Sequence, residues 1–285
     1  MNDPLSLVAL GAAIGGAAGK FVEKAWDSGE KWLGTYFANH GIKAQKKARE
    51  NSLAFLKELS ERIKILENEH IVKKNRIEHA MDHPEFSVLL QKGILNSAQT
   101  DNAEKRSYLS RLIAERLKYP AESTYSLASK MAVDAIANST PKQLHILALL
   151  DFLQEVRWTS DPAPKDIYQK VLENLLSPFV ELIEDDLNQK DLLHLVALSC
   201  ISYDKTSEKS LDHILRMKNG KIVQKQDWEA RFDEEAFNNS GVGQWLKYLW
   251  VEGLAGVDLT TVGLIIGKFV FDEVAGRTTE DANWD

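Results

Sequence analysis

At 285 residues, with 44% hydrophobic and 27% charged side chains, the chain can bury a sizeable core, and its composition excludes a disordered or collagen-like polymer. A net charge of −7 argues against non-specific nucleic-acid binding, which needs a basic surface, though it leaves room for a local basic patch. The single cysteine, Cys200, permits no intramolecular disulfide and fits a reducing compartment, while only seven prolines lean the chain towards helix.

The first distinctive stretch is Leu5 to Gly19, LSLVALGAAIGGAAG. Gly11, Gly15 and Gly19 recur every four residues, with Ala9, Ala13 and Ala17 in a second row. On a helix each row lies along one shallow face, where a neighbouring backbone can come close, the small-xxx-small arrangement of paired membrane helices. Each glycine disfavours helix by about 1 kcal/mol relative to alanine. With Gly16 included, the stretch therefore needs something pressed against it: a second copy, a bilayer, or the other glycine-spaced segment around Gly263 and Gly267. As a secretory signal its flank is wrong, since Asn2 and Asp3 stand where Lys or Arg belongs. As a membrane span it is short, about 24 Å from Pro4 to Gly19 against a hydrocarbon core of about 30 Å. Spanning would need Phe21, Val22 and a snorkelling Lys20, and the lysines that follow would hold the rest of the chain on the cytoplasmic side.

The helical pattern continues through FVEKAWDSGEKWLGTYF, with a break or bend expected near Gly29 and Gly34. Aromatics beside lysines suit a membrane interface, which would place Lys20, Trp26 and Trp32 at headgroup level. Packing of the rings on the protein body is the simpler explanation. After Gly41 a basic run, Lys43, Lys46, Lys47 and Arg49, opens a long helix through Glu69, with Leu56, Leu59, Ile63 and Leu66 as a seam for one partner helix. The run reads first as a solvated face, and second as a contact for anionic lipid or nucleic acid. Ile71 to Met81 reads as a short helix closed by Pro84. His79 and His83 stand at i, i+4, but no Glu lies between them and no third ligand is evident, so no metal is expected.

Glu85 to Ser97 and Asn102 to Leu117 read as two amphipathic helices, stopped by Tyr119-Pro120, and Ser123 begins another. Thr140-Pro141-Lys142-Gln143 is a capping box with proline at the first helical position. The helix it opens, LHILALLDFLQEV, is apolar nearly all round and belongs at the centre of a core. TSDPAP is the one internal linker. Asp166 to Glu184 is helical with a bend expected at Pro178, and Asn188 to Ser199 follows, with Leu192, Leu193, Leu195, Val196 and Leu198 inside and His194 as a core histidine. Lys218-Asn219-Gly220-Lys221 is a type I′ turn signal, the one credited β signal. Near the end, Asp258 or Thr260 caps a helix carrying Gly263 and Gly267, and the tail TTEDANWD is acidic and loose. The fold class is therefore all-α: a multi-helix bundle with a glycine-rich N-terminal helix and at most one small hairpin near Asn219-Gly220. Its parts read as 1–40, a core of 41–217, and a C-terminal region of 218–285.

Several phrases carry a resemblance. ARENSLAFLKELSERI, AEKRSYLSRLIAERL, the Thr140 box opening QLHILALLDFL, LENLLSPFVELI and HLVALSCISY resemble an uncharacterised bacterial family over roughly residues 48–217. The same core is distantly similar to the alpha group of abortive-infection proteins, which are linked to phage defence. Leu259-Thr260-Thr261-Val262-Gly263 loosely fits a phrase near the end of those chains. No catalytic residues are established for these families, so the resemblance implies none. The glycine-spaced leader departs from the uncharacterised family, and any function particular to this chain is expected there.

No motif of catalysis stands out. GAAIGGAAGK fails as a Walker A loop, because Ile14 stands where the opening glycine belongs and Phe21 where Ser or Thr belongs. The expectation is a non-enzymatic helical interaction protein without a cofactor, cytoplasmic or at the inner face of the cytoplasmic membrane, in anti-phage or stress defence. It would self-associate through Gly11, Gly15, Gly19, Gly263 and Gly267, with inner-membrane lipid and another protein as further partners. The alternative is a soluble scaffold or regulator whose two glycine-spaced helices pack on each other within one chain. A DNA-binding regulator using the basic run ranks third, against the acidic balance.

Overall fold

The computed structural model describes residues 11, 14–157, 165–184, 187–204, 206, 209–216 and 234–276. The chain is all-α, with thirteen α-helices and one pair of three-residue strands among the described residues. It divides into two compact units, the first closing at Asn138 and the second opening at Ser139. That division falls inside the span 41–217 that reads as one core, and it groups the N-terminal helix with the helices that follow it.

The first unit holds α1 (Gly16–Tyr36), α2 (Ile42–Asn68), α3 (Lys74–His79), a 3-10 turn (Ala80–Asp82), α4 (Pro84–Ala98), α5 (Ala103–Arg116) and α6 (Thr124–Asn138). Its centre is α2, which packs against α1, α4 and α5. The expected seam of Leu56, Leu59, Ile63 and Leu66 is buried, but so are Ala48, Asn51, Ser52, Phe55 and Ser60, because three neighbours need a wider face than one. The buried hydroxyls are satisfied locally, Ser52 donating to the Ala48 carbonyl at 2.9 Å and Ser60 to that of Lys57 at 2.6 Å. Asn102 caps α5 by accepting from the Lys105 amide at 2.8 Å. Contrary to the expected break, α1 runs unbroken past Gly29 and Gly34. Gly29 is buried, and a side chain there would meet Ile94 of α4 at 3.3 Å, so the glycine serves close packing instead of a bend.

In the second unit, α7 (Pro141–Gln154) is central, every side chain from Gln143 to Leu153 being buried. The capping box is formed: the Thr140 hydroxyl accepts from the Gln143 amide at 3.2 Å, and the Gln143 carbonyl oxygen accepts from the Thr140 amide at 2.9 Å. Against α7 pack α8 (Lys165–Ile183, continuous through Pro178) and the last helix, α13 (Thr261–Ala275). Phe152 of α7 stacks on Phe271 of α13 at 5.2 Å, and Phe179 of α8 lies 6.3 Å beyond. Between them in sequence come α9 (Gln189–Ala197), β1 (Ile201–Tyr203), α10 (Leu211–Arg216), α11 (Glu234–Asn239), α12 (Gly241–Glu252) and β2 (Val257–Leu259).

Two readings change here. The strands pair antiparallel as Ile201↔Leu259, Ser202↔Asp258 and Tyr203↔Val257, a contact between remote segments with no local turn to announce it. Gln154 clamps β2, donating to the Val257 carbonyl at 2.7 Å and accepting from the Leu259 amide at 3.4 Å. The turn at Asn219-Gly220, the linker TSDPAP and the acidic tail lie outside the described residues. On α9 only Leu192 and Leu195 turn inward; Leu193 is 52% and Val196 37% exposed, and Leu198 just past the helix end is half-buried, since a nine-residue helix resting on one face cannot bury all four of its leucine-like positions. His194 is also exposed, its Nδ1 3.0 Å from Gln143 Oε1, and is not a core histidine. Cys200 is fully buried, and burial pushes its thiol up to about 12.

Candidate functional site

Several of the described glycines stand where another part of the chain approaches closely. At the front, Gly15 (φ 64°) and Gly16 (φ 66°) both adopt left-handed conformations, which glycine enters without the side-chain clash of other residues. The expected helix therefore does not run straight across Gly15. Instead the Gly15 amide donates to the Gly11 carbonyl at 2.9 Å, closing one turn, and α1 starts afresh at Gly16. The two pieces fold onto each other: a Cβ on Gly19 would sit 2.4 Å from the Gly11 oxygen, and one on Gly11 would sit 2.6 Å from Glu23 Oε1. Gly11 and Gly19 mark the contact and Gly15 the joint, so the three do not form one row.

The start of α1 is held from a distance. Glu67, in the last turn of α2, accepts from the Ala17 amide at 3.0 Å and from the Ala18 amide at 3.1 Å. Two of the four donors that a helix start leaves unpaired are satisfied by one carboxylate, at the end where the helix dipole favours negative charge. Its Oε2 would lie 2.8 Å from a Cβ on Gly16, so Gly16 also clears room for the cap. Sequence reasoning missed Glu67, because capping residues ordinarily stand within three positions of the helix they cap, not fifty away.

Along α1, Ala17, Ala18, Gly19, Phe21, Val22, Ala25, Trp26 and Leu33 are buried. Trp26 lies under the Arg49 guanidinium, 5.5 Å from the ring centroid, and Arg49 also pairs with Glu30. Trp32 is half-buried. Lys20 is exposed and pairs with Glu78 at 3.1 Å, and Lys24 pairs with Asp82 at 2.5 Å. Lys24, then His79, hold the Asp82 carboxyl below its ordinary range. No helix of the described residues is long and apolar enough to cross a membrane. Much of the basic run is matched by acids, Lys46 by Glu50 at 3.8 Å, Lys47 by Asp101 at 3.3 Å and Arg49 by Glu30.

At the far end of the sequence, Thr260 caps α13, its hydroxyl accepting from the Gly263 amide at 3.2 Å and reaching the Ser199 carbonyl at 2.6 Å. A Cβ on Gly263 would lie 2.0 Å from the Cys200 oxygen, and one on Gly267 2.6 Å from the Leu147 oxygen. Both glycines let a carbonyl of their own unit close against α13. His79 is engaged with Asp82 at 3.0 Å, and no group of three or more His, Cys, Asp or Glu placed to hold a metal occurs among the described residues. What converges at the N-terminal glycines is backbone and two carboxylates, those of Glu23 and Glu67. No curated protein and no solved structure matches the chain. A family model, ":-like", matches residues 19–244, and the chain belongs to that uncharacterised family.

Proposed function

We propose that the chain is a non-enzymatic helical interaction protein whose glycine-lined N-terminal segment engages a second copy of the chain, at or near the inner face of the membrane. The observation that carries the reading is the joint at Gly15 and Gly16. Two left-handed glycines separate a Gly11 carbonyl contact from α1, and a single long-range carboxylate, Glu67, holds the start of α1. Such a segment offers a backbone surface free of side chains to any partner that replaces its own fold-back contact. Anti-phage or stress defence is the proposed setting, drawn from the sequence phrases alone; the family match carries no activity.

The competing reading is a soluble scaffold or regulator whose two glycine-spaced helices pack on each other within one chain; Gly263 and Gly267, which press on the Cys200 and Leu147 carbonyls, show glycine used for packing inside the chain. Fractionation of cells expressing the wild type and a Gly11, Gly15, Gly19→Leu variant separates the two. Self-association predicts an assembled or membrane-bound wild type and a shifted variant. Wild type and variant both monomeric in the supernatant would leave the scaffold reading standing. A matched plaque assay tests the setting: a drop in plating efficiency that the variant loses supports defence, and equal plating with and without the chain removes it.

A further inference from the structure

One charge cluster lies outside the glycine contacts. Glu85, in the first turn of α4, pairs with Arg116 at the end of α5 and with Lys130 of α6 at 3.0 Å. Arg116 is 5% exposed and also donates to the Tyr119 carbonyl at 2.7 Å. Arg76, on α3, donates to that same carbonyl. The Tyr119 ring stacks on Tyr125 at 4.1 Å, which fixes the turn that carries the carbonyl. Two cations, from α5 and α6, thus meet the Glu85 carboxylate, and a third, from α3, meets the carbonyl that Arg116 also serves.

Arg76 is the unusual member. Arg116 already serves the Tyr119 carbonyl, so a second guanidinium there adds like-charge repulsion for one more hydrogen bond. Its other nitrogens meet no acid among the described residues, for Glu115 is taken by Lys118 at 2.6 Å, Glu78 by Lys20 and Asp82 by Lys24. Burial, then the charge of Arg116, lower the Arg76 guanidinium from its ordinary value. A planar fork with unspent donors, sharing one carbonyl with a second fork, matches the oxygens of a tetrahedral anion. Arg116 and Lys130 exceed Glu85 by one positive charge and Arg76 adds a second, and a phosphate monoester carries about −1.5 to −2 at neutral pH.

We propose that Arg76, with Arg116 and Lys130 behind it, binds the phosphate group of a monoester at the Tyr119 turn. A free small-molecule phosphate and a phosphorylated side chain share that chemistry. The site is separate from the glycine contacts, so it stands or falls independently of self-association.

The test is calorimetric titration of the full chain with inorganic phosphate at fixed ionic strength, against chloride as control. It is repeated with a phosphoserine peptide and its unphosphorylated form. Wild type binds phosphate above the chloride control, Arg76→Gln weakens it at least about tenfold, as loss of a charge-assisted pair does. Arg76→Lys, which keeps the charge but not the fork, falls between. Thermal melts of Arg76→Lys alongside wild type guard against a folding defect. Tighter binding of the phosphopeptide than of phosphate assigns the monoester to a protein; equal or weaker binding assigns it to a small molecule. Wild type and both variants responding alike, or none above chloride, overturns the site.

Discussion

Glu67 stands where two helix dipoles disagree about it. Ending α2, its charge is disfavoured by about 0.3–1 kcal/mol; starting α1, the same charge is favoured by a similar amount. The two amide bonds from Ala17 and Ala18 decide the balance. Glu67→Gln keeps the shape and removes the charge, and is expected to cost about 1 kcal/mol at the start of α1. Hydrogen exchange at the Ala17 and Ala18 amides should then speed up several-fold while core amides of α2 stay unchanged; unchanged exchange at Ala17 and Ala18 would show that the carboxylate caps nothing. Glu85 gives a pH test at the same scale. Burial raises its carboxyl, but the Lys130 hydrogen bond and the charges of Arg116 and Lys130 outweigh that, leaving it below the ordinary value. A carboxyl depressed in the folded state adds stability above its unfolded pKa of about 4.3, and the addition is lost as pH falls through the folded value. Glu85→Gln should therefore unfold at lower urea than wild type at pH 7, with the gap closing in strong acid.

At the scale of elements, helical glycines separate into those that permit an approach and those that merely weaken a helix. Gly267 belongs to the first kind, because a Cβ would meet the Leu147 oxygen at 2.6 Å, backbone that cannot rotate away. Alanine gains about 0.8–1 kcal/mol in helix propensity but overpacking costs about 1–3 kcal/mol, so Gly267→Ala is expected to destabilise. Gly34, with nothing within 4 Å of its Cβ position, should do the opposite, Gly34→Ala raising the urea midpoint. Chemical labelling reads the second unit directly: Cys200, fully buried with its thiol near 12, should resist iodoacetamide at neutral pH until the unit opens.

The elements legible in advance were those with local signals. The Thr140 capping box needs only four residues, and the apolar run behind it has no polar face to misplace. The seam of α2 was legible for the same reason, in part; its buried serines were not, since their satisfaction depends on carbonyls one turn back. Three features had no local signal. Glu67 caps a helix fifty residues away, β1 and β2 pair across more than fifty, and Gly15 has the same spacing to Gly11 and Gly19 whether it lines a groove or makes a joint. Leu193 and Val196 show the converse fault, because hydrophobic density on α9 says nothing of how many neighbours the fold supplies.

For the whole molecule, the two units each hide one helix at the centre, α2 and α7, and each uses glycine to bring a backbone close. In the second unit those contacts join α13 to α7 and to the β1 end, and are spent on the core. In the first they sit at the Gly15–Gly16 joint, where association is proposed. The most direct test is sedimentation velocity of the full purified chain over a wide range of concentration, for the wild type and for Gly19→Leu. The account predicts a reversible shift of the wild type from monomer to a larger species, altered in the variant because leucine fills the space in which the Gly11 carbonyl, or a partner backbone that replaces it, approaches Gly19. A single monomer boundary for both proteins at every concentration would contradict it.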